Sequence, residues 1–145
     1  MAKPYVAEFD GGRYSDIVLG RVIPGGDSGW NFEAVNIPWS DDLVAGTVYK
    51  RDGTPLATGD SADLAFGVLV DRKVLPGVRQ FEGTLEDDEA VPFVLAVRGV
   101  TLNFYKLKFA DGSQITDTVA NALEANGSNQ VTKHVVGTQF IGSVL

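Results

Sequence analysis

From Asp41 onward, short apolar runs alternate with turn residues in a pattern that predicts strands joined by tight turns. Residues 47–50 (Thr-Val-Tyr-Lys) carry the branched and aromatic groups that suit a pleated strand. Asp52-Gly53 follows at once, and an Asp-Gly pair readily takes the positive φ angles of a turn. A second strand is predicted over 64–70. After the polar Asp71-Arg72-Lys73 come Val74-Leu75, a Pro76-Gly77 turn and a strand over 78–85 with Arg79 and Glu82 facing solvent. Residues 91–97 (Val-Pro-Phe-Val-Leu-Ala-Val) form the most apolar strand candidate, and 100–109 the next. Arg98-Gly99 between them predicts a tight reversal, and so a hairpin packed on the first two strands. Asp111-Gly112-Ser113 is another turn. One helix is predicted, over 117–125, capped by Thr116 or Asp117, with Val119, Ala122 and Leu123 on one face and Asn126-Gly127 as its stop. Apolar strands over 131–136 and 139–145, around Gly137, finish the chain.

Residues 1–40 read differently. Residues 3–9 alternate loosely until Asp10-Gly11-Gly12 interrupts them, and the apolar run 17–23 ends in Pro24-Gly25-Gly26-Asp27-Ser28-Gly29, a loop. Trp30, Phe32, Val35, Ile37 and Trp39 then supply large apolar groups with little periodicity. Trp30 and Phe32 fit one strand face briefly, and Pro38 ends it. The pattern predicts an extended N-terminal arm over 1–40 with short strand pieces, followed by a β-rich domain over 41–145. The apolar groups of the arm need a surface, either the core of this chain or another subunit. The expected fold is mainly β with one short helix: a small β-sandwich, β-tulip-like or barrel-like domain.

Composition narrows this further. At 145 residues the chain is long enough for one domain with a substantial core. Its 44% hydrophobic and 21% charged content is that of a globular protein. A net charge of −7 argues against a nucleic-acid partner, which would select a basic face. The same charge favours solubility at high copy number. With no cysteine there is neither a disulfide framework nor thiolate chemistry. Met1-Ala2-Lys3-Pro4-Tyr5 lacks the apolar centre of a secretory signal, and runs such as 91–97 are too short to cross a bilayer. A soluble protein made in the cytoplasm is expected.

Candidate chemistry is sparse. Gly26-Asp27-Ser28-Gly29 matches the letters around a chymotrypsin-like nucleophile. That chemistry needs a base beside the serine, and the single histidine, His134, lies after the serine where that family places it before. A second hydrolase class with a Gly-Asp-Ser start places its histidine three residues after an aspartate, and position 131 is Val131. The four adjacent carboxylates Glu86-Asp87-Asp88-Glu89 lack the alternating spacing and closing glutamate of a calcium loop, so a solvated turn is expected. No phosphate-binding loop or dinucleotide fingerprint is present. The sequon Asn126-Gly127-Ser128 reads as the helix-ending turn. No catalytic residue, cofactor or metal is expected. Trp30 and Trp39 could stack on a sugar, or could anchor an interface or fill a core.

Gly46-Thr47-Val48, Asp52-Gly53 and Gly67-Val68-Leu69, followed by an Arg-Gly step, a short helix ending at Asn/Gly and a closing glycine-bearing strand, resemble the head decoration proteins of tailed bacteriophages, of the lambda type. The resemblance covers about residues 43–145. It implies a capsid decoration, or cement, protein that binds the exterior of the expanded head, bridges major capsid protein subunits and resists the pressure of packaged DNA. It also implies a homotrimer on three-fold sites, with a dimer on two-fold sites as the other possibility. The chain is longer than that family, notably over 74–92. The arm residues Tyr5, Phe9, Trp30, Phe32 and Trp39 are the expected capsid contacts. A different virion part (a tail or baseplate protein) and a carbohydrate-binding module using the tryptophans are the alternatives.

Overall fold

The computed structural model describes residues 14–21, 28–40, 42–71, 74 and 86–134. The predicted segments over 3–9, 22–27, 78–85 and 135–145 lie outside the described residues. Among the described residues the strands are β1 (Val18–Arg21), β2 (Phe32–Pro38), β3 (Val48–Tyr49), β4 (Gly67–Leu69), β5 (Ala90–Ala96), β6 (Val100–Asn103) and β7 (Gln130–Thr132). They form two sheets, ordered β2-β5-β4-β3 and β1-β6-β7. With one helix of any length, the molecule is the small, mainly β domain expected, built as two open sheets and not as a closed barrel.

In the four-stranded sheet every pairing is antiparallel, and β2 lies along β5 from Phe32 opposite Ala96 to Pro38 opposite Ala90. Strand β5 alternates as a half-buried strand must: Val91, Phe93 and Leu95 point inward, while Pro92 and Val94 point out. Ile37, Val35 and Glu33 sit opposite those three inward residues. Pro38 closes β2 at the sheet edge, where its missing N–H is tolerated. Trp39 follows it fully buried, its ring stacked on Phe93 at 6.1 Å and 7°. Residues 32–39 of the N-terminal segment are thus part of this sheet, and they reach its core because Val35 and Ile37 sit opposite Phe93 and Val91 and Trp39 stacks on Phe93.

The three-stranded sheet contains a parallel pair, β6 with β7, and a parallel pair requires a crossover. The helix Asp117–Gly127 supplies it. Thr116 caps this helix as expected, its hydroxyl oxygen accepting from the Val119 amide at 3.4 Å. Val119, Ala120 and Leu123 are buried, and Ala122 is half-buried. The helix runs two residues past the expected end and stops where Ser128 turns left-handed, with φ of 52°. In β1 the register slips between Val18 and Gly20, which leaves Leu19 exposed.

Three expectations need correction. Strands β5 and β6 do not form a hairpin; the turn at Arg98-Gly99 carries the chain from one sheet to the other. The Val97 and Arg98 amides donate to the Asn31 carbonyl, and Gly99 donates to the Gly127 carbonyl, so the turn's hydrogen bonds go to other segments. The predicted strand over 100–109 also ends early. The Asn103 side chain accepts from the Tyr105 amide at 3.0 Å and starts a 3-10 helix over Phe104–Lys106. Likewise 64–70 begins as a 3-10 helix, Ala62–Leu64, and is a strand only at Gly67–Leu69.

The loops after β3 and after the 3-10 helix at Phe104–Lys106 have one construction. In the first, Asp52 Oδ1 accepts from the amide and hydroxyl of Thr54 at 3.0 and 2.6 Å. In the second, Asp111 Oδ1 accepts from the amide and hydroxyl of Ser113 at 2.9 and 2.6 Å. Gly53 and Gly112 between them take φ of 90° and 88°, a conformation that glycine adopts without strain. The two loops lie side by side. Val48 donates to the Lys108 carbonyl (2.9 Å), Lys108 to Gly46 (3.0 Å) and Ala110 to Leu56 (2.9 Å).

Gly46 has φ of 97°, and a Cβ there would stand 2.2 Å from the Lys106 carbonyl oxygen. Gly46→Ala should therefore cost at least about 2 kcal/mol in urea unfolding. The hydrogen bonds from Thr54 and Ser113 hold the Asp52 and Asp111 carboxyls below the ordinary range, as the bond from Ala57 does for Asp60. A carboxyl depressed in the folded state stabilises it above about pH 4 and loses that contribution as pH falls through the folded value. Urea midpoints measured from about pH 6 down to about pH 3 should fall, and the Asp52→Asn/Asp111→Asn protein should lose part of that dependence.

Candidate functional site

The corner where β5 leaves its sheet brings together Trp30, Asn31, Glu33, Arg98 and Gly99. Ser28–Asn31 is a single 3-10 turn, and Asn31 at its end is fully buried. Its side-chain amide donates to the carbonyls of Arg98 (3.0 Å) and Gly99 (3.4 Å). Gly99 takes φ of 66°, and the Trp30 ring lies directly on it: a Cβ at Gly99 would fall 2.3 Å from Trp30 Cζ3. Arg98 donates through Nη1 to the Trp30 carbonyl at 2.6 Å and through Nη2 to the Glu33 carboxylate, an ion pair. Its guanidinium stands 5.8 Å from the Trp30 ring centroid. Trp30 nevertheless remains 38% exposed. The result is a partly exposed tryptophan whose main chain is held by one arginine.

Beyond Arg98 runs a groove of about 620 Å³, lined by Lys50, Arg51, Leu64, Phe66, Arg98 and Asn126 among others. Arg51 lies 4.2 Å over the Phe66 ring, and Lys50 pairs with Asp60 at 3.3 Å. Leu64 is half exposed at the groove's wall. Asn126, at the end of the helix, donates to the carbonyls of Asp63 (3.0 Å) and Ala65 (2.8 Å) and so ties the groove wall to the helix.

Of the expected contact residues, Tyr5 and Phe9 lie outside the described residues. Trp30 is open to solvent. Phe32 is half-buried under Arg21, whose guanidinium is 5.5 Å from its ring centroid. Trp39 is sealed in the core, so the two tryptophans do not share a surface on which a sugar could stack. Arg98 and Gly99 read in the sequence as a reversal and as one step of the family resemblance; nothing beside them in the chain signals their part in this corner. Elsewhere, Ser28 begins the 3-10 turn and His134 is exposed, its amide bonded to the Thr132 hydroxyl at 2.9 Å. The acidic turn 86–89 is tied to Trp39 through main-chain bonds, and no group of three or more metal-ligating side chains occurs among the described residues. No helix among them is long and apolar enough to cross a membrane.

Over its whole length, residues 1–145, the chain matches the family described as Bacteriophage PhiTE minor capsid decoration protein. It belongs to that family. No curated protein and no solved structure gives a match. Membership of this phage capsid decoration family agrees with the decoration role implied by the sequence resemblance, and it extends to residues 1–42, which that resemblance left uncovered. A capsid decoration protein binds the capsid and belongs to the virion.

Asn126→Ala should lower stability by about 1 kcal/mol, the loss of two partly exposed hydrogen bonds. Hydrogen exchange should speed at the Leu64 and Ala65 amides, which close the 3-10 turn that Asn126 holds, while β5 amides keep their protection.

Proposed function

We propose that this decoration protein binds the outer surface of the expanded phage head, bridges neighbouring major capsid protein subunits and holds the shell against the pressure of packaged DNA. The family match over all 145 residues carries this reading. The open, braced indole of Trp30 supports it, since interfaces draw their energy from a few aromatic and arginine anchors. The action is physical: a protein that binds the expanded lattice and not the unexpanded one shifts the shell toward expansion by mass action. No bond is made or broken. Assembly as a homotrimer on three-fold sites, or as a dimer on two-fold sites, would add avidity because several contacts engage together.

Trp30, Tyr5, Phe9 and Phe32 are the proposed capsid contacts. Trp39 is sealed in the core, stacked on Phe93. An N-terminal segment could lie along an exposed strand edge of the capsid protein, where main-chain hydrogen bonds supply affinity.

Capsids stripped of decoration protein, incubated with purified chain and imaged by electron microscopy, test this. Density should appear on the outer surface, spanning adjacent capsid subunits. Trp30→Ala should weaken binding at least thirtyfold, about 2 kcal/mol, with an unchanged circular dichroism spectrum. Deletion of residues 1–13 should reduce occupancy as well. Density on the inner face, or full occupancy by both altered proteins, would refute the proposal.

A further inference from the structure

A tryptophan on a protein surface can serve as an anchor or as a cover for the groups beneath it. The corner at Arg98-Gly99 contains a more specific arrangement. The Trp30 backbone is held by Arg98 Nη1 on its carbonyl, and its ring rests on the one residue type, glycine, that admits such close approach. The 98–99 turn is itself fixed from two sides. The Asn31 amide donates to both of its carbonyls, and Gly99 donates to the Gly127 carbonyl at 2.9 Å. Arg98 is in turn oriented by Glu33, so its planar fork reaches the Trp30 carbonyl and the carboxylate at once.

We infer that Arg98 and Gly99 are positioning residues that hold the Trp30 indole in one orientation before the capsid is met. The inference rests on the reading of Trp30 as a capsid contact and adds how its affinity is secured. An immobile anchor loses little freedom on binding, so more of its contact energy appears as affinity. Arg98 acts through Trp30 and makes no capsid contact itself. A lysine in its place keeps the charge beside Glu33 but lacks the fork that spans carbonyl and carboxylate.

The experiment is a double-mutant cycle on the full chain with stripped capsids, using Trp30→Ala, Arg98→Lys and both together. Indole motion in the free protein is read by time-resolved fluorescence anisotropy, in which buried Trp39 serves as the rigid reference. Arg98→Lys should leave the melting curve close to that of the parent, loosen the Trp30 indole and raise the capsid dissociation constant about three- to tenfold, mainly through faster dissociation. The double variant should bind no worse than Trp30→Ala alone. Additive losses would mean that Arg98 touches the capsid independently and would overturn the positioning role. An unchanged indole anisotropy in Arg98→Lys would overturn it too. If Trp30→Ala binds like the parent, the contact reading falls and the positioning role falls with it. Gly99→Ala, read by the same anisotropy, gives a second route: a displaced indole with weakened binding supports the inference, and a displaced indole with parental binding opposes it.

Discussion

Two sheets that share no strand behave as one body only where something joins them, and here much of the join is main chain. The amides of Val48, Lys108 and Ala110 donate across to Lys108, Gly46 and Leu56. Thr47 and Lys108 form an isolated parallel bridge between the β3 side and the β6 side. Backbone bonds of this kind require close approach of two chains, which is why a residue without a Cβ stands at position 46. The surroundings bear the cost of that closeness. Tyr49 is buried beside the join, and desolvation pushes its hydroxyl up to about 12, so it stays neutral. Lys108 is half-buried, and desolvation together with the neighbouring Lys106 lowers its pKa.

A second crossing lies where β5 ends. Asn129 is buried, and its side-chain amide donates to Val97 (3.2 Å) and Leu123 (3.0 Å) while its oxygen accepts from Val100 (3.2 Å). One side chain thus ties the end of β5, the start of β6 and the last turn of the helix. Gly127 lies so close that a Cβ there would meet the Val97 carbonyl at 2.1 Å. The exposed corner carrying Trp30 stands directly on this knot, through the Gly99-to-Gly127 bond. Hydrogen bonds from the buried side chains of Asn129 and Asn31 therefore fix the main chain beneath the candidate site.

How much of this was legible in the sequence depends on the range of the interactions involved. The helix was legible because its signals are local: a Thr116 cap, Ala and Leu within, and an Asn-Gly at its end. The Asp52-Gly53 and Asp111-Gly112 turns were legible for the same reason. Strand β2 was visible as a strand piece, but Trp30 and Phe32 fall on even positions and Val35, Ile37 and Trp39 on odd ones, so the sequence alone does not say which face turns inward. The answer lay in Val91 and Phe93, more than fifty residues away. The turn at Arg98-Gly99 looked like a hairpin because nothing nearby announces that Asn31 and Gly127 take its hydrogen bonds. Trp30 was legible as a candidate contact, whereas its hydrogen bond with Arg98 was not.

The distribution of cations suits the demands on a decoration protein. Exposed aromatic rings invite non-specific association. Net charge of −7 supplies general repulsion between copies. The positive side chains are then spent locally: Arg51 lies 4.2 Å over Phe66, Lys133 4.7 Å over Phe104 and Arg21 5.5 Å over Phe32. A ring face covered by a hydrated cation is a poor surface for casual association. Arg98 stands 5.8 Å from the Trp30 ring, with its fork on the Trp30 carbonyl and Glu33. Trp30 nevertheless stays 38% exposed. The same residue type that stands over Phe66 and Phe32 here also holds the main chain of an exposed tryptophan, through the carbonyl of Trp30 and beside the carboxylate of Glu33.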